Sequence, residues 1–581
     1  MNFESTNDEY LWIEHNENFS TLIVATSVSE SLNKSQNHWF RGTAVVEEIG
    51  VVAFGAAAFL KSDLQPGLQI LDATGEFISA HWDHEGVLIQ RDFFTSVSLA
   101  WTQIDDVFAT SDSILVLASL RKALGATNTF DSDIALARCP FSSFTEQQME
   151  PRTLIKEINF VPAAQGLRYS FESAEAALFG SKIAESNVVE VANPSADYAV
   201  EIRKAAIWAA SLVKGLGELT HSKISLSLSG GYDSRVVLAA LSAAGLLESA
   251  NISTRAEGRG DPLDFAAVTK LGIEFNIPVQ FVVAPNPETA VGQPKPLQLW
   301  GSTLLGAYDR FSPNRVRPGN LNGRISLTGM GAEILKGNWG FRTWEQICKE
   351  IELPAMYQEA FKAAGLRGMQ SLGADPATKD SSEWYYIGFR NGIHATAGHI
   401  SNHLTAITPL HQRRFVALAH KSAGTLEGFP VDPPMRIADL NILLDPQIAQ
   451  ADYDRKERNL KRSFVNQRLE FLGGAIDVGE ITTAQIYGDP SDVPGGSSQL
   501  SLNIAKHYGL DLDANGESIM NFIDSHIHEI QGENLDEPLH RVRAKAHHHL
   551  IVEGRNPFSN TSAAGKLLSF ITLSRVSNES K

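Results

Sequence analysis

Cysteine is nearly absent: Cys139 and Cys348 are the only two in 581 residues. Two thiols so far apart exclude a disulfide framework and a cysteine-rich zinc site, and they suit a reducing cytoplasm. Long apolar runs are also missing. A membrane span needs ~18 apolar residues; the longest candidate, VVEEIGVVAFGAAAFL (45–60), carries Glu47 and Glu48 near its start and reads as buried strands. The opening MNFESTNDEY has neither the basic stretch nor the apolar core of a secretory signal, so a cytoplasmic protein is expected. Positive charge is in deficit. With 49 Lys and Arg against 67 Asp and Glu the formal charge is -18, which argues against a chain-wide grip on nucleic-acid backbone and leaves only a local basic patch open. No internal repeat of about 20–50 residues stands out.

What remains is the composition of a folded α/β chain, longer than one ordinary core uses, so two or three domains are expected. Up to about residue 195 the pattern is short β-rich runs between polar turns: FSTLIVATSV, GVLIQRDFF, SVSLAW and ILVLASL. From about 196 the period changes. YAVEIRKAAIWAASLVKGL has helical spacing, KISLSLSGG alternates Ile224, Leu226 and Leu228, and SRVVLAALSAAGLL is a second helix. NISTRA is a strand candidate, followed by a helix with Asp261 as cap and Pro262 next. Such alternation implies a parallel sheet. Residues from about 345 to 460 read as mainly helical, GDPSDVPGGSSQ (488–499) as a loop, and 461–581 as a mainly helical extension of the second domain.

The loop Ser229-Gly230-Gly231-Tyr232-Asp233-Ser234 lies between a buried strand and an amphipathic helix. Helix N-termini present unpaired N–H groups and positive potential, so this is an anion site. Paired glycines let backbone wrap a phosphate, serine hydroxyls add donors, and Asp233 offers a hard oxygen for Mg2+. An ordinary Gly-Gly turn is the plain alternative.

SGGYDS resembles the SGGxDS pyrophosphate loop of the asparagine synthetase superfamily, the N-type ATP pyrophosphatases that split ATP between its α and β phosphates. Thr328-Gly329-Met330-Gly331-Ala332-Glu333 is similar to the family's SGxGADE segment, TPLHQRRFVALAH (408–420) to its VPFLDHRLVEFA segment, and DRKE (454–457) to its late R-x-K-E, with Asp454 in place of the arginine. GVLIQRDFFTSVSLAW and VFATSDSILVLASL resemble segments of the family's glutaminase domain. The resemblance covers most of 40–460. It implies an N-terminal, strand-rich, Ntn-glutaminase-like αββα domain (1–195) and a parallel-sheet PP-loop domain of the adenine nucleotide α-hydrolase type (196–460).

By the same resemblance Leu228, Ser229, Gly230, Gly231, Asp233, Ser234, Gly329 and Gly331 bind the nucleotide, Asp233 and Glu333 hold magnesium, and Lys456 is catalytic, with Asp452 or Asp454 as neighbours that could hold it. Arg235 could add a cation near the phosphates or be a solvated arginine. A glutaminase of this type needs cysteine directly after Met1, but residue 2 is Asn2; Ser5 or Thr6 could serve only after processing, and Cys139 reads as a small buried hydrophobe. The nearest analogues are thus members without glutaminase activity, such as β-lactam, carbapenam and lasso-peptide macrolactam synthetases. The expected activity is an ATP- and Mg2+-dependent ligase that adenylates a small-molecule or peptide carboxylate and joins it to an amine. A protease or leader-binding partner is implied if the substrate is a peptide; nucleic acid and membrane partners are not. Asparagine synthesis from free ammonia and a nucleotide-binding pseudoenzyme are the rivals.

Two positions depart from the family. Met330 cannot take a proton, which makes Glu383 in EWYYIGFRNG a candidate base, with Tyr385, Tyr386 and Arg390 lining a pocket or a core. Ile334 replaces the second acid after Glu333. His526 with His528, and the run His547 to His549, lack helical metal spacing. SNTSAAGK (559–566) fails as a Walker loop, having Asn560 for a glycine and Leu567 after the lysine.

Overall fold

A five-stranded parallel sheet, in the order Val279–Val282, Asn251–Arg255, Lys223–Ser227, Arg324–Leu327 and Thr405–Ile407, forms the frame of the second half of this computed structural model. The described residues are 11–13, 22–26, 37–62, 64, 70–185, 198–258, 261–282, 294–311, 324–351, 354–396, 405–420, 435–493, 498–532, 534–557 and 561–578. Alternation sets the register: Ile224 pairs with Ile325 and Leu226 with Leu327, all four buried. The helices Tyr198–Gly217, Tyr232–Ala243 and Met435–Leu444 pack together over this core. From the central strand Lys223–Ser227 the chain runs outward to one edge, then returns on the other side through Arg324–Leu327. The strand order therefore reverses between these two neighbours, and the loops leaving their carboxyl ends share one crevice, the position at which open α/β sheets bind ligands.

The first half holds two further sheets. One has five strands and the other seven, and they face each other through Ile23, Ile78, Ile89, Leu99, Phe108 and Tyr169. Helix Ile114–Ala123 packs on the outer side of the smaller sheet and helix Gly55–Lys61 on that of the larger. Both helices correct the sequence reading. ILVLASL is too short to separate strand from helix by period; Ser113 decides, its Oγ accepting the Val116 N–H at 3.3 Å as an N-cap. In 45–60 the strands end at Phe54, where Gly55, at φ +77°, turns the alanine-rich stretch into helix.

The extension after 460 does not belong to the second half alone. Strand Gln485–Tyr487 adds a parallel edge to the seven-stranded sheet beside Val51–Ala53. Helix Ser562–Asn578 shares a core with Ile114–Leu120: Leu567, Phe570 and Ile571 pack with Leu117 and Leu120. Among the described residues no helix is long and apolar enough to cross a membrane.

Candidate active site

Leu228 ends the central strand, buried, with its N–H donated to the Ser253 carbonyl at 2.8 Å. The loop then folds on itself. The Ser229 N–H donates to Ser234 Oγ at 3.0 Å, and the two serine hydroxyl oxygens lie 3.0 Å apart. Gly231 caps helix Tyr232–Ala243 without a side-chain bond, the kind of helix start that suits an anion. Gly230 is a matter of space: a Cβ there would stand 2.6 Å from the Asp454 Cβ. Its N–H donates to Asp264 Oδ1 at 2.8 Å, a partner the sequence reading missed.

The neighbouring loop, 328–331, is pressed against the same helix start. A Cβ on Gly329 would lie 2.5 Å from the Asp233 carbonyl carbon, and Gly331, at φ +94°, leaves no room for one beside the Leu410 carbonyl. This approach puts Glu333 in the field of Asp233. Loss of solvent, and then the Asp233 charge, raise the Glu333 carboxyl to about 7 against the pull of Lys336. Gly331 donates its N–H to Glu333 Oε2 at 2.9 Å. Asp233 Oδ2 meets Lys336 Nζ at 2.5 Å, whereas Asp233 Oδ1 is buried with no hydrogen-bond partner. Sequence reasoning passed over Lys336; its signal was the i, i+3 spacing from Glu333.

An orphaned carboxylate oxygen and a second carboxylate fit Mg2+, which takes one or two protein carboxylates together with phosphate and water, while the helix N-terminus suits the phosphate. Among the described residues no group of three or more His, Cys, Asp or Glu gathers as a full protein cage would. Ile334, in the place of the family's second acid, is buried in the core.

The segment 451–459 docks on the loop. The Asp454 N–H donates to the Gly230 carbonyl at 3.1 Å, and Tyr232 Oη donates to the Arg458 carbonyl. Lys456 thus stands on a short 3-10 turn, Lys456–Arg458, two residues from the contact with Gly230, rather than in a charged helix. Its ammonium is exposed and unpaired among the described residues. The anticipated anchors are engaged elsewhere: Asp454 accepts from Arg458 Nη1 at 3.1 Å, and Asp452 pairs with Lys270 and accepts from Asn459. Arg235 is neither solvated nor a phosphate ligand. Fully buried, it donates to the carbonyls of Ala451 and Asp452, both at 2.8 Å, and so braces the docked segment.

Glu383 has another occupation than the expected one. Its oxygens accept the N–H groups of Asn338 at 2.7 Å, Trp339 at 2.8 Å and Phe341 at 3.3 Å, which makes it a clasp for the turn after Lys336 instead of a free base. Tyr385 and Tyr386 are buried among Trp339, Trp344 and Phe389, the core alternative. Arg390 pairs with Glu146 at 3.0 Å. Burial pushes the Cys139 thiol up to about 12. Lys566 is buried and donates to the Pro140 carbonyl at 2.8 Å and Thr145 Oγ1 at 2.7 Å, a structural tie. His526 pairs with Glu529 and His548 with Glu553. Asn2, Ser5, Thr6, Ser559 and Asn560 lie outside the described residues.

Where the two halves meet, a cavity is lined by Glu76, Ser96, Thr396, Thr408 and His411. Burial and the Asp92 charge outweigh Arg41 there, raising Glu76 to about 8, and burial lowers His411 to about 3. Neither a protein-family model nor a curated protein sequence matches the chain.

Proposed function

We propose that this protein is an ATP-dependent amide-forming ligase, with an N-terminal half of the Ntn-glutaminase type and a nucleotide domain of the PP-loop type. The observation that carries this reading is the pairing of two loops at the sheet's switch point. Ser229, Gly231 and Ser234, hydrogen-bonded to one another, gather at a helix N-terminus without a side-chain cap, directly beside Asp233 with its orphaned oxygen.

In this reading the loop N–H groups and the two serine hydroxyls hold the β and γ phosphates. Asp233 and Glu333 would hold Mg2+, which supplies charge neutralisation on the phosphate oxygens. A substrate carboxylate attacks the α phosphorus, pyrophosphate leaves, and an amine displaces AMP from the acyl-adenylate to give an amide. Lys456, unpaired at the rim, is the cation available to the charge that builds up at both departures. With Met330 in the loop and Glu383 committed to backbone, no carboxylate base is assigned. An α-amine, with a reference pKa of about 7.7–8.0, is partly neutral at pH 7 without one, which favours an amine nucleophile. Peptide macrolactam or lactam closure suits that chemistry, as does a cytoplasmic setting with a protease or leader-binding partner. Ammonia-dependent asparagine synthesis is the nearest enzymatic alternative.

Exchange of labelled pyrophosphate into ATP, over carboxylates that include aspartate and short peptides, tests this. Exchange dependent on one carboxylate is expected, with no glutamate release from glutamine. Release of ADP and phosphate instead overturns it. One observation favours a pseudoenzyme: Lys336 already occupies Asp233. A pseudoenzyme would show binding without exchange.

A further inference from the structure

Lys336 is held at both ends of its segment and free in between. On its N-terminal side the helix Ala332–Lys336 starts at Gly331, wedged against the Leu410 carbonyl and His411. On its C-terminal side the turn 338–341 is tied to Glu383 by three N–H bonds. The backbone of Lys336 is thereby fixed, while its side chain, about a quarter exposed at 26%, keeps its own rotamers. That side chain ends on Asp233 Oδ2 at 2.5 Å. Asp233 also lies in the first turn of the helix Tyr232–Ala243, whose N-terminus has no side-chain cap. The ammonium therefore stands on the carboxylate that a divalent cation would need and next to the N–H groups that a polyphosphate would need.

Both cannot occupy Asp233 on equal terms. A divalent cation taken by the open Oδ1 would share one carboxylate with the ammonium on Oδ2, and the repulsion between the two positive charges drives the ammonium toward the polyphosphate oxygens beside it. We infer that Lys336 is the resting counter-ion of Asp233 and transfers to the nucleotide's phosphates when Mg2+ replaces it, so that metal and polyphosphate binding are coupled through one side chain. This rests on the phosphate-site reading above and adds to it a residue outside the two loops that carry it. It also distinguishes a displaceable cation from the permanent plug of a pseudoenzyme.

The test uses the full-length chain, with Mn2+ followed by electron paramagnetic resonance and inorganic pyrophosphate by calorimetry. With no competing ammonium, Lys336→Met should bind Mn2+ alone about fivefold more tightly, the scale of one partly exposed ion pair. It should bind pyrophosphate with Mg2+ about tenfold more weakly, having lost a charged partner. Opposite signs are the signature, because a merely structural lysine would weaken both or neither. Lys336→Arg, which keeps the cation, should bind Mn2+ like the parent and covers the case in which the methionine variant fails to fold. Parent-like values for both ligands in Lys336→Met overturn this inference alone. Failure of the parent to bind Mg2+ and pyrophosphate at millimolar concentration overturns the phosphate-site reading, and this inference with it.

Discussion

The guanidinium of Arg235 lies over the ring of Tyr453, 3.9 Å from carbon to ring centre, and its nitrogens reach the carbonyls of Ala451 and Asp452 just before that residue. The first turn after the loop 229–231 is in this way bolted to the stretch that carries Lys456. Arg235→Met should cost about 3 kcal/mol in urea unfolding, because buried carbonyls lose a charged donor. Arg235→Lys should rescue little, since one ammonium cannot span two carbonyls and stack on a ring.

Asp233→Asn should abolish formation of AMP and pyrophosphate, a loss of about 10^3-fold or more. Circular dichroism should stay that of the parent, because the helix and its Gly231 start are untouched. Retained turnover in this variant would falsify the metal role of Asp233.

For Lys456→Ala the expected result splits in two. Amide formation falls about 10^2-fold, while stability changes by less than about 0.5 kcal/mol because the side chain is exposed. Near-normal turnover, with Arg458 proving essential in its place, would assign the cation to the wrong residue of the turn.

Glu383→Gln should act on structure before chemistry. A neutral amide has one acceptor oxygen, so it keeps either Asn338 or the pair Trp339 and Phe341 and sets its NH2 against the other N–H, and a loss of about 1–2 kcal/mol in stability is expected. A change confined to the acid or alkaline limb of the rate profile would instead restore Glu383 as a base.

Glu76 gives a pH dependence with a definite sign. Its folded value of about 8 lies above the ordinary 4.5, so between those values the folded state binds a proton that the unfolded state does not. Stability from this group is complete below about 4.5 and is lost as pH rises through about 8, at no more than about 1.4 kcal/mol per pH unit. Glu47, raised to about 7, contributes with the same sign. Glu76→Gln should flatten the parent's decline in unfolding free energy between pH 5 and pH 8; an unchanged slope would show that Glu76 is ionised throughout.

Legibility followed the kind of force involved. Ile224, Leu226 and Leu228 announced their strand by alternation, and Asp261 with Pro262 announced its helix by cap chemistry, which the structure keeps: Asp261 Oδ1 accepts the Leu263 N–H at 3.0 Å. Local rules suffice for such elements. ILVLASL misled because a run of seven residues, six of them apolar, satisfies either period, and the deciding Ser113 lies one residue outside the run. In the candidate site the glycines were legible as a motif, but their purpose was not. Gly230 and Gly329 are glycines because Asp454 and Asp233 come close from elsewhere in the chain. The partners of Lys336 and Arg235, Asp233 and the carbonyls of Ala451 and Asp452, were illegible for the same reason: only the fold supplies them.

Strand Gln485–Tyr487 completes a sheet whose neighbouring strand, Val51–Phe54, leaves the ribosome more than four hundred residues earlier. At roughly 5–20 residues per second that edge waits tens of seconds for its partner. During the interval Val51 and Val52 offer open backbone donors and acceptors, the kind of template that recruits other chains. The N-terminal half is therefore a poor fragment to express by itself, and a nascent chain stalled before residue 485 is a natural client for chaperones.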